Sequence, residues 1–156
     1  MIEVSVVGEQ DWRAWRAMRR QALAEAPSAF CSTLAGWSGD GDREERWRAR
    51  LREVALNLVL TLEGRPAGMV SATDPGPDGA VELISLWVAP GARGRGVADA
   101  AVEAVLDWAR REHPGAAVVL SVKTGNAPAV RLYRRHGFVD AGPGPADRAE
   151  QRMRHR

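Results

Sequence analysis

The spacing of apolar and polar positions changes rhythm from element to element along this chain, and the changes predict its secondary structure. Residues 2–7 (IEVSVV) read as a first strand. Over roughly 10–25, Trp12, Trp15, Met18, Arg19, Ala22 and Leu23 recur at three- or four-residue spacing, the signature of a helix with one inward stripe. Pro27 stops it. Residues 27–39 (PSAFCSTLAGWSG) are too apolar for an ordinary linker and are expected to pack against the domain. A charged helix follows over roughly 42–54, with Asp40 or Asp42 as its cap and Trp47, Leu51 and Val54 on its inner side.

The rhythm then shortens to that of strands. LNLVLTLE (56–63), a Gly64-Arg65 turn, PAGMVSAT (66–73), a Pro/Gly-rich turn at 74–79 and AVELISLWV (80–88) imply three successive hairpin-linked strands. A glycine-rich junction leads into a helix over about 96–111. Its apolar positions Ala98, Ala101, Val102, Val105, Trp108 and Ala109 form one stripe suited to a sheet face. AAVVLSV (116–122) reads as a buried strand. A helix starts at Asn126, a good cap, tolerates Pro128 in its first turn and ends at Gly137. FVDA (138–141) is a further strand, and residues 142–156 are a Pro/Gly loop followed by a weak edge strand near 149–154 that could pair across a homodimer. The pattern predicts one α/β domain over residues 1–156, with a mixed, mostly antiparallel sheet flanked by helices.

The junction WVAPGARGRGVADA (87–100) is the most informative stretch. Strand, glycine loop and helix bring free main-chain N–H groups and the positive end of a helix dipole to one point, which attracts phosphate. Gly94 and Gly96 let a ligand approach the backbone, and Arg93 and Arg95 add positive charge. A plain surface turn with two exposed arginines is the alternative. The loop lacks the Lys-Ser/Thr end of a P-loop, and Asp99 stands where a dinucleotide fingerprint needs its third glycine.

Val88-x-Pro90-x-x-Arg93-Gly94-x-Gly96-x-Ala98 resembles the acetyl-CoA signature of GNAT-type N-acetyltransferases. Asn126-x-x-Ala129-x-x-Leu132-Tyr133-x-x-x-Gly137-Phe138 is similar to that family's later helix motif, and the order of elements over residues 2–141 is similar as well. The resemblance implies acetyl-CoA as cosubstrate and splayed central strands. It implies a diphosphate held by the main chain at Arg93, Gly94, Arg95, Gly96, Val97 and Ala98. It also implies a pantetheine arm passing Leu86, Trp87 and Val88 on one side and Asn126, Ala129 and Tyr133 on the other. The implied activity is transfer of an acetyl group to a primary amine by direct attack; the alternative is a catalytically weak CoA-binding sensor or protein-interaction module of the same fold.

That chemistry needs a neutral amine, a polarised carbonyl and a stabilised leaving thiolate. A lysine-like amine with pKa about 10.4 is cationic at neutral pH, so a nearby carboxylate is needed to take its proton. Glu82, in an otherwise apolar strand where the family often carries a catalytic glutamate, is the candidate; a solvated edge position is the alternative. Tyr133, the only tyrosine, lies on the same helix side as Ala129 and Leu132 and would protonate the thiolate, with packing as the alternative. Phe30 and Trp37 fall in the connection that lines the acceptor pocket in this family. With Asp40, Asp42, Glu44 and Glu45 they are expected to receive a cationic amine, from a small molecule or a peptide, or else to be a capped loop and a solvated helix start.

Composition narrows the field further. Hydrophobic residues are 45% and charged residues 27% of the 156, an ordinary globular balance. Net charge is only +2, and the arginines are spread among glutamates, so nucleic-acid binding is not expected. No apolar run approaches the roughly 18 residues of a membrane span, and the start lacks a secretory signal, so a cytoplasmic protein with no membrane partner is expected. Cys31 is the only cysteine and is expected to pack in the interior. The three histidines are not at ligand spacing, and no metal is expected.

Overall fold

The computed structural model describes residues 1–30, 32–144 and 149–156. The expected packing of Cys31 and residues 145–148 of the Pro/Gly loop lie outside them. In chain order the regular elements are β1 (Ile2–Val6), α1 (Trp12–Glu25), α2 (Glu44–Glu53), β2 (Leu56–Leu62), β3 (Arg65–Ala72), β4 (Val81–Val88), α3 (Val97–Glu112), β5 (Val118–Lys123), α4 (Ala127–Arg135), β6 (Val139–Pro143) and β7 (Glu150–His155). The strands form one sheet in the order β1-β2-β3-β4-β5-β7-β6. Every neighbouring pair is antiparallel except β4–β5, which is parallel. The mixed, mostly antiparallel α/β sheet expected from the sequence is therefore present.

Two apolar layers sandwich the sheet. Val97, Ala101, Val102, Val105 and Ala109 of α3 pack with Val70, Ala72, Val81, Leu83, Leu120 and Met153 of the strands in the larger core. On the other face Trp15, Met18 and Ala22 of α1 and Trp47 and Leu51 of α2 close over Met69 and Trp87. Alternation explains the division, since Met69 and Val70 are neighbours on β3 and necessarily face opposite layers.

Three local expectations need correction. The β2–β3 turn is Glu63-Gly64, with φ of 50° and 79°, one residue earlier than read. Both central residues of a twisted two-residue hairpin need positive φ, and glycine meets that need best at the second. Asp42 does not cap α2; the cap position is Arg43, without a side-chain hydrogen bond. Strand β7 is not an edge, because it lies between β5 and β6 and is paired on both sides. It therefore offers no free edge to a second copy, and the edges belong to β1 and β6.

Candidate active site

The parallel pair β4–β5 is joined only at Val81↔Val118 and Glu82↔Val119, although β4 runs on to Val88 and β5 to Lys123. Beyond those pairs the two strands diverge. A bulge in β4 accompanies the divergence: its register against β3 shifts between Met69 and Ser71, and Ser85 takes a φ of 60°, an uncommon conformation for a non-glycine residue. The gap opens into a cavity of about 790 Å³, within the size range of small-molecule sites.

The cavity collects most of the residues that the two motifs singled out. Leu86, Trp87 and Val88 form its β4 wall, and Asn126, Ala129 and Tyr133 form its α4 wall. Arg93, Gly94, Gly96, Val97 and Ala98 lie at its loop end, while Arg95 is not among its lining residues. Gly94 and Gly96 have φ of 75° and 88°, so the backbone turns where an L side chain would be strained. No hydrogen bond of ordinary geometry engages the main-chain N–H groups of residues 94–99 among the described residues. Six successive free donors at the start of a sixteen-residue helix make a strongly anion-attracting cradle.

Side chains around the cradle are less free than the sequence implies. Arg93 donates from Nε to the Val88 carbonyl at 3.0 Å and pairs with Glu25 at the end of α1. The same Glu25 oxygen accepts the Trp87 indole N–H at 2.9 Å, and these two bonds hold its carboxyl below the usual carboxylate range. Asp99, in the first turn of α3, lies 2.7 Å from His136 Nε2 and accepts from Arg135 at 2.9 Å. Burial opposes its ionisation, but these two partners outweigh it and lower its pKa.

Tyr133 is 7% exposed, stands edge-on to Phe138 with ring centroids 5.7 Å apart, and burial pushes its phenol above the ordinary tyrosine value. It therefore carries its proton throughout the neutral range. Asn126 uses its Oδ1 to cap α4 through the Ala129 N–H at 3.2 Å.

The remaining candidates are placed differently. Glu82 faces away from α3, its neighbours Val81 and Leu83 taking the buried side. It is not among the cavity-lining residues; 39% of its side chain is exposed, and a carboxylate oxygen lies 3.6 Å from the Arg152 guanidinium. Phe30 does line the cavity, with Arg19 stacked over its ring at 4.6 Å. Trp37 does not. Its ring lies 4.3 Å from Trp47 and under Arg46 at 3.7 Å, so the layer formed by α1 and α2 has captured it. Asp42 is likewise consumed: it pairs with Arg16 and Arg20 and accepts the Trp47 indole N–H at 2.8 Å.

The sequence reading missed Glu25, Ser85, Ser121, Lys123 and Arg135, all of which line the cavity. Behind Ser85 sits Arg50 of α2, whose Nη2 donates to Ser85 Oγ at 3.4 Å and to Ser71 Oγ at 3.2 Å, and whose Nη1 donates to Asn57 Oδ1 at 2.8 Å. Only the bulge signals Ser85, and bulges leave little trace in one sequence. Among the described residues no group of three or more His, Cys, Asp or Glu side chains is arranged to hold a metal, and no helix is long and apolar enough to cross a membrane.

The chain is 32% identical over 104 residues to streptothricin acetyltransferase of Streptomyces lavendulae, covering 67% of this chain and 54% of that one. It is 28% identical over 136 residues to mycothiol acetyltransferase of Renibacterium salmoninarum, covering 86% and 39%. The chain thus spans about half or less of the length of these two relatives. In structure it resembles the PaiA N-acetyltransferase of Thermoplasma acidophilum in complex with coenzyme A, with a TM-score of 0.76, 14% identity and coverage of 100% and 99%. A family model described as the acetyltransferase (GNAT) family matches residues 15–138, from the first turn of α1 to the residue before β6, and the chain belongs to that family.

Proposed function

We propose that this chain is an acetyl-CoA-dependent N-acetyltransferase of the cytoplasm that moves an acetyl group to a primary amine by direct attack. The observation that carries the reading is the cradle: unengaged main-chain N–H groups at residues 94–99, opening onto a gap between two diverging strands. Such a gap suits a long, narrow arm attached to a doubly charged diphosphate, and coenzyme A, with which the Thermoplasma protein is in complex, carries such an arm on its diphosphate. The lone cysteine supports the reducing compartment.

In this reading the loop N–H groups and Arg93 bind the diphosphate, and Leu86, Trp87, Val88, Ala129 and the Asn126 Nδ2 flank the arm. A main-chain N–H near Val88 polarises the thioester carbonyl. The amine forms the new C–N bond while the C–S bond breaks. The ammonium proton of the acceptor passes through water to Glu82 before attack, Tyr133 supplies a proton to the departing sulfur, the second proton shed by nitrogen as the amide forms passes to solvent, and solvent returns a proton to Tyr133. The products are an amide and a free thiol. Acetyl transfer requires no covalent enzyme intermediate here.

Titration calorimetry with coenzyme A tests the cradle, and thiol release from acetyl-CoA across a panel of amines tests the reaction. Absence of binding heat removes the whole reading. Two observations favour a second reading, a CoA-binding module with little catalysis: the Arg152 partner of Glu82 and the absence of Glu82 from the cavity lining. Binding without thiol release against every amine class would select it.

A further inference from the structure

Behind the β4 wall of the cavity, at Ser85, stands a cation of α2 with no acidic partner among the described residues. Ion pairs in the α1–α2 layer bind its carboxylates to other arginines: Asp42 to Arg16 and Arg20, Glu44 to Arg48, Glu9 and Glu45 to Arg52, and Glu25 to Arg93. Arg50 has none of them. Its guanidinium is half-buried against the Trp15 ring at 5.1 Å, and among the described residues its hydrogen-bond partners are the neutral Asn57, Ser71 and Ser85. Neutral dipoles engage both of its Nη atoms and leave its charge uncompensated among the described residues. Burial, followed by the nearby Arg19 charge, brings its pKa down to about 10, which still leaves it cationic at neutral pH.

A half-buried cation without a counter-ion is costly, and an anion delivered to it recovers much of that cost through charge-assisted hydrogen bonds. Ser85 links it to the cavity. This residue lines the cavity, shares β4 with the wall at Leu86–Val88, and its Oγ bond to Arg50 is, at 3.4 Å, the longest of the three. Its φ of 60° gives the position an unusual, strained backbone that the fold maintains. Phe30, under the Arg19 guanidinium, supplies an apolar surface in the same cavity.

We propose that Ser85 and Arg50 form an anion subsite, so that the acceptor is a primary amine carrying a carboxylate, as an α-amino acid does. This rests on the acetyltransferase reading and specifies its substrate class. A single uncompensated guanidinium matches a single negative charge: Ser85 Oγ, which lines the cavity and accepts from Arg50 Nη2, can donate its own O–H to a carboxylate, with the Arg50 charge behind it although Arg50 itself is not among the lining residues. A polyamine, by contrast, would bring further positive charge towards the uncompensated Arg50 behind Ser85.

The test uses acceptors that differ only in that group. L-α-Amino acids, their carboxamides and the corresponding decarboxylated amines are offered to the full chain with acetyl-CoA, and thiol release is followed. The acids should show kcat/KM at least about tenfold above the amides and amines. Arg50→Gln should erase that preference through KM for the acid and leave KM for acetyl-CoA unchanged. Equal use of acid and amide by the parent chain overturns the subsite, and so does an Arg50→Gln variant that slows both alike.

Because Arg50 also supports Asn57 and Ser71, Ser85→Ala provides a second variant, expected to reduce the preference severalfold at an unchanged thermal midpoint; an undiminished preference counts against the subsite. Binding is read apart from turnover by titrating the CoA-loaded chain with N-acetyl-L-amino acids and with their amides. Tighter binding of the acids without any turnover upholds the subsite and removes the acetyl-transfer reading. Indifference between acid and amide removes the subsite whatever the turnover.

Discussion

Glu25 and Arg93, 68 residues apart in sequence, are ion-paired at the cavity wall beside the anion cradle. The pair fastens the end of α1 to the loop before α3, and Trp87 shares the same carboxylate oxygen. A diphosphate arriving at the cradle meets both an arginine that favours it and a carboxylate that opposes it. Glu25→Gln keeps an acceptor for Trp87 while removing the negative charge, so coenzyme A should bind roughly twofold to fivefold more tightly, as expected for a solvent-screened charge. Arg93→Ala should weaken binding. Calorimetry that finds Glu25→Gln binding more weakly than the parent would show the pair to be a support for the cradle rather than a competitor.

Asp42 joins the first two helices. It is met by Arg16 Nε at 2.7 Å, by Arg20 at 3.2 Å and by the Trp47 indole N–H at 2.8 Å, and the Arg16 bond is the largest cause of its lowered pKa. A carboxyl lowered on folding contributes stability at pH above its unfolded value of about 3.8, and that contribution is lost as the pH falls from there through the folded value. Asp42→Asn should therefore lower the thermal midpoint at neutral pH, with the gap from the parent closing progressively below pH about 3.8. Coincident midpoints at pH 7 would show that these contacts contribute nothing measurable.

The fold was legible where one periodicity was strong. The α3 stripe and the alternation of β2 to β4 gave boundaries within a few residues, and both motifs converge on one cavity as their spacing implied. What stayed hidden depends on long-range partners. Strand β7 looks like an edge because Glu150 and Arg152 are charged, yet these pair with Lys123 and Glu82 on a polar part of the sheet while Met153 alone is buried. Main-chain pairing decides its place and leaves no side-chain signature. Asp42 likewise reads as a cap or a cation receptor until Arg16 and Arg20, one turn apart on α1, are seen to claim it.

Glu82 provides a test that separates proton transfer from packing. If it takes the amine proton, Glu82→Gln should slow turnover at neutral pH by roughly tenfold to a hundredfold. The deficit should shrink at alkaline pH, where more of the acceptor is already neutral and needs no base. Removal of Arg152, whose guanidinium is 3.6 Å from the carboxylate, should change turnover in the parent but not in the Gln variant. A pH–rate profile for Glu82→Gln that overlays the parent's would remove Glu82 from the reaction.

Tyr133 is the chain's only tyrosine, so its titration can be followed without interference. Burial raises its phenol above the ordinary value of 10.0, and the folded chain should therefore show no phenolate absorbance until the pH is well beyond that value. A group whose folded pKa is raised contributes stability that is fully present below the unfolded pKa and lost as the pH rises through the folded one. Alkaline unfolding should accordingly begin above pH about 10 in the parent and be less steep in Tyr133→Phe. The Phe variant keeps the ring against Phe138, so it should fold and bind coenzyme A as before. Its kcat should fall roughly tenfold to a hundredfold, the contribution of a positioned acid to a thiolate that leaves readily on its own. Full turnover by Tyr133→Phe would assign the ring to packing alone, whereas loss of coenzyme A affinity at unchanged kcat would assign the hydroxyl to cofactor binding.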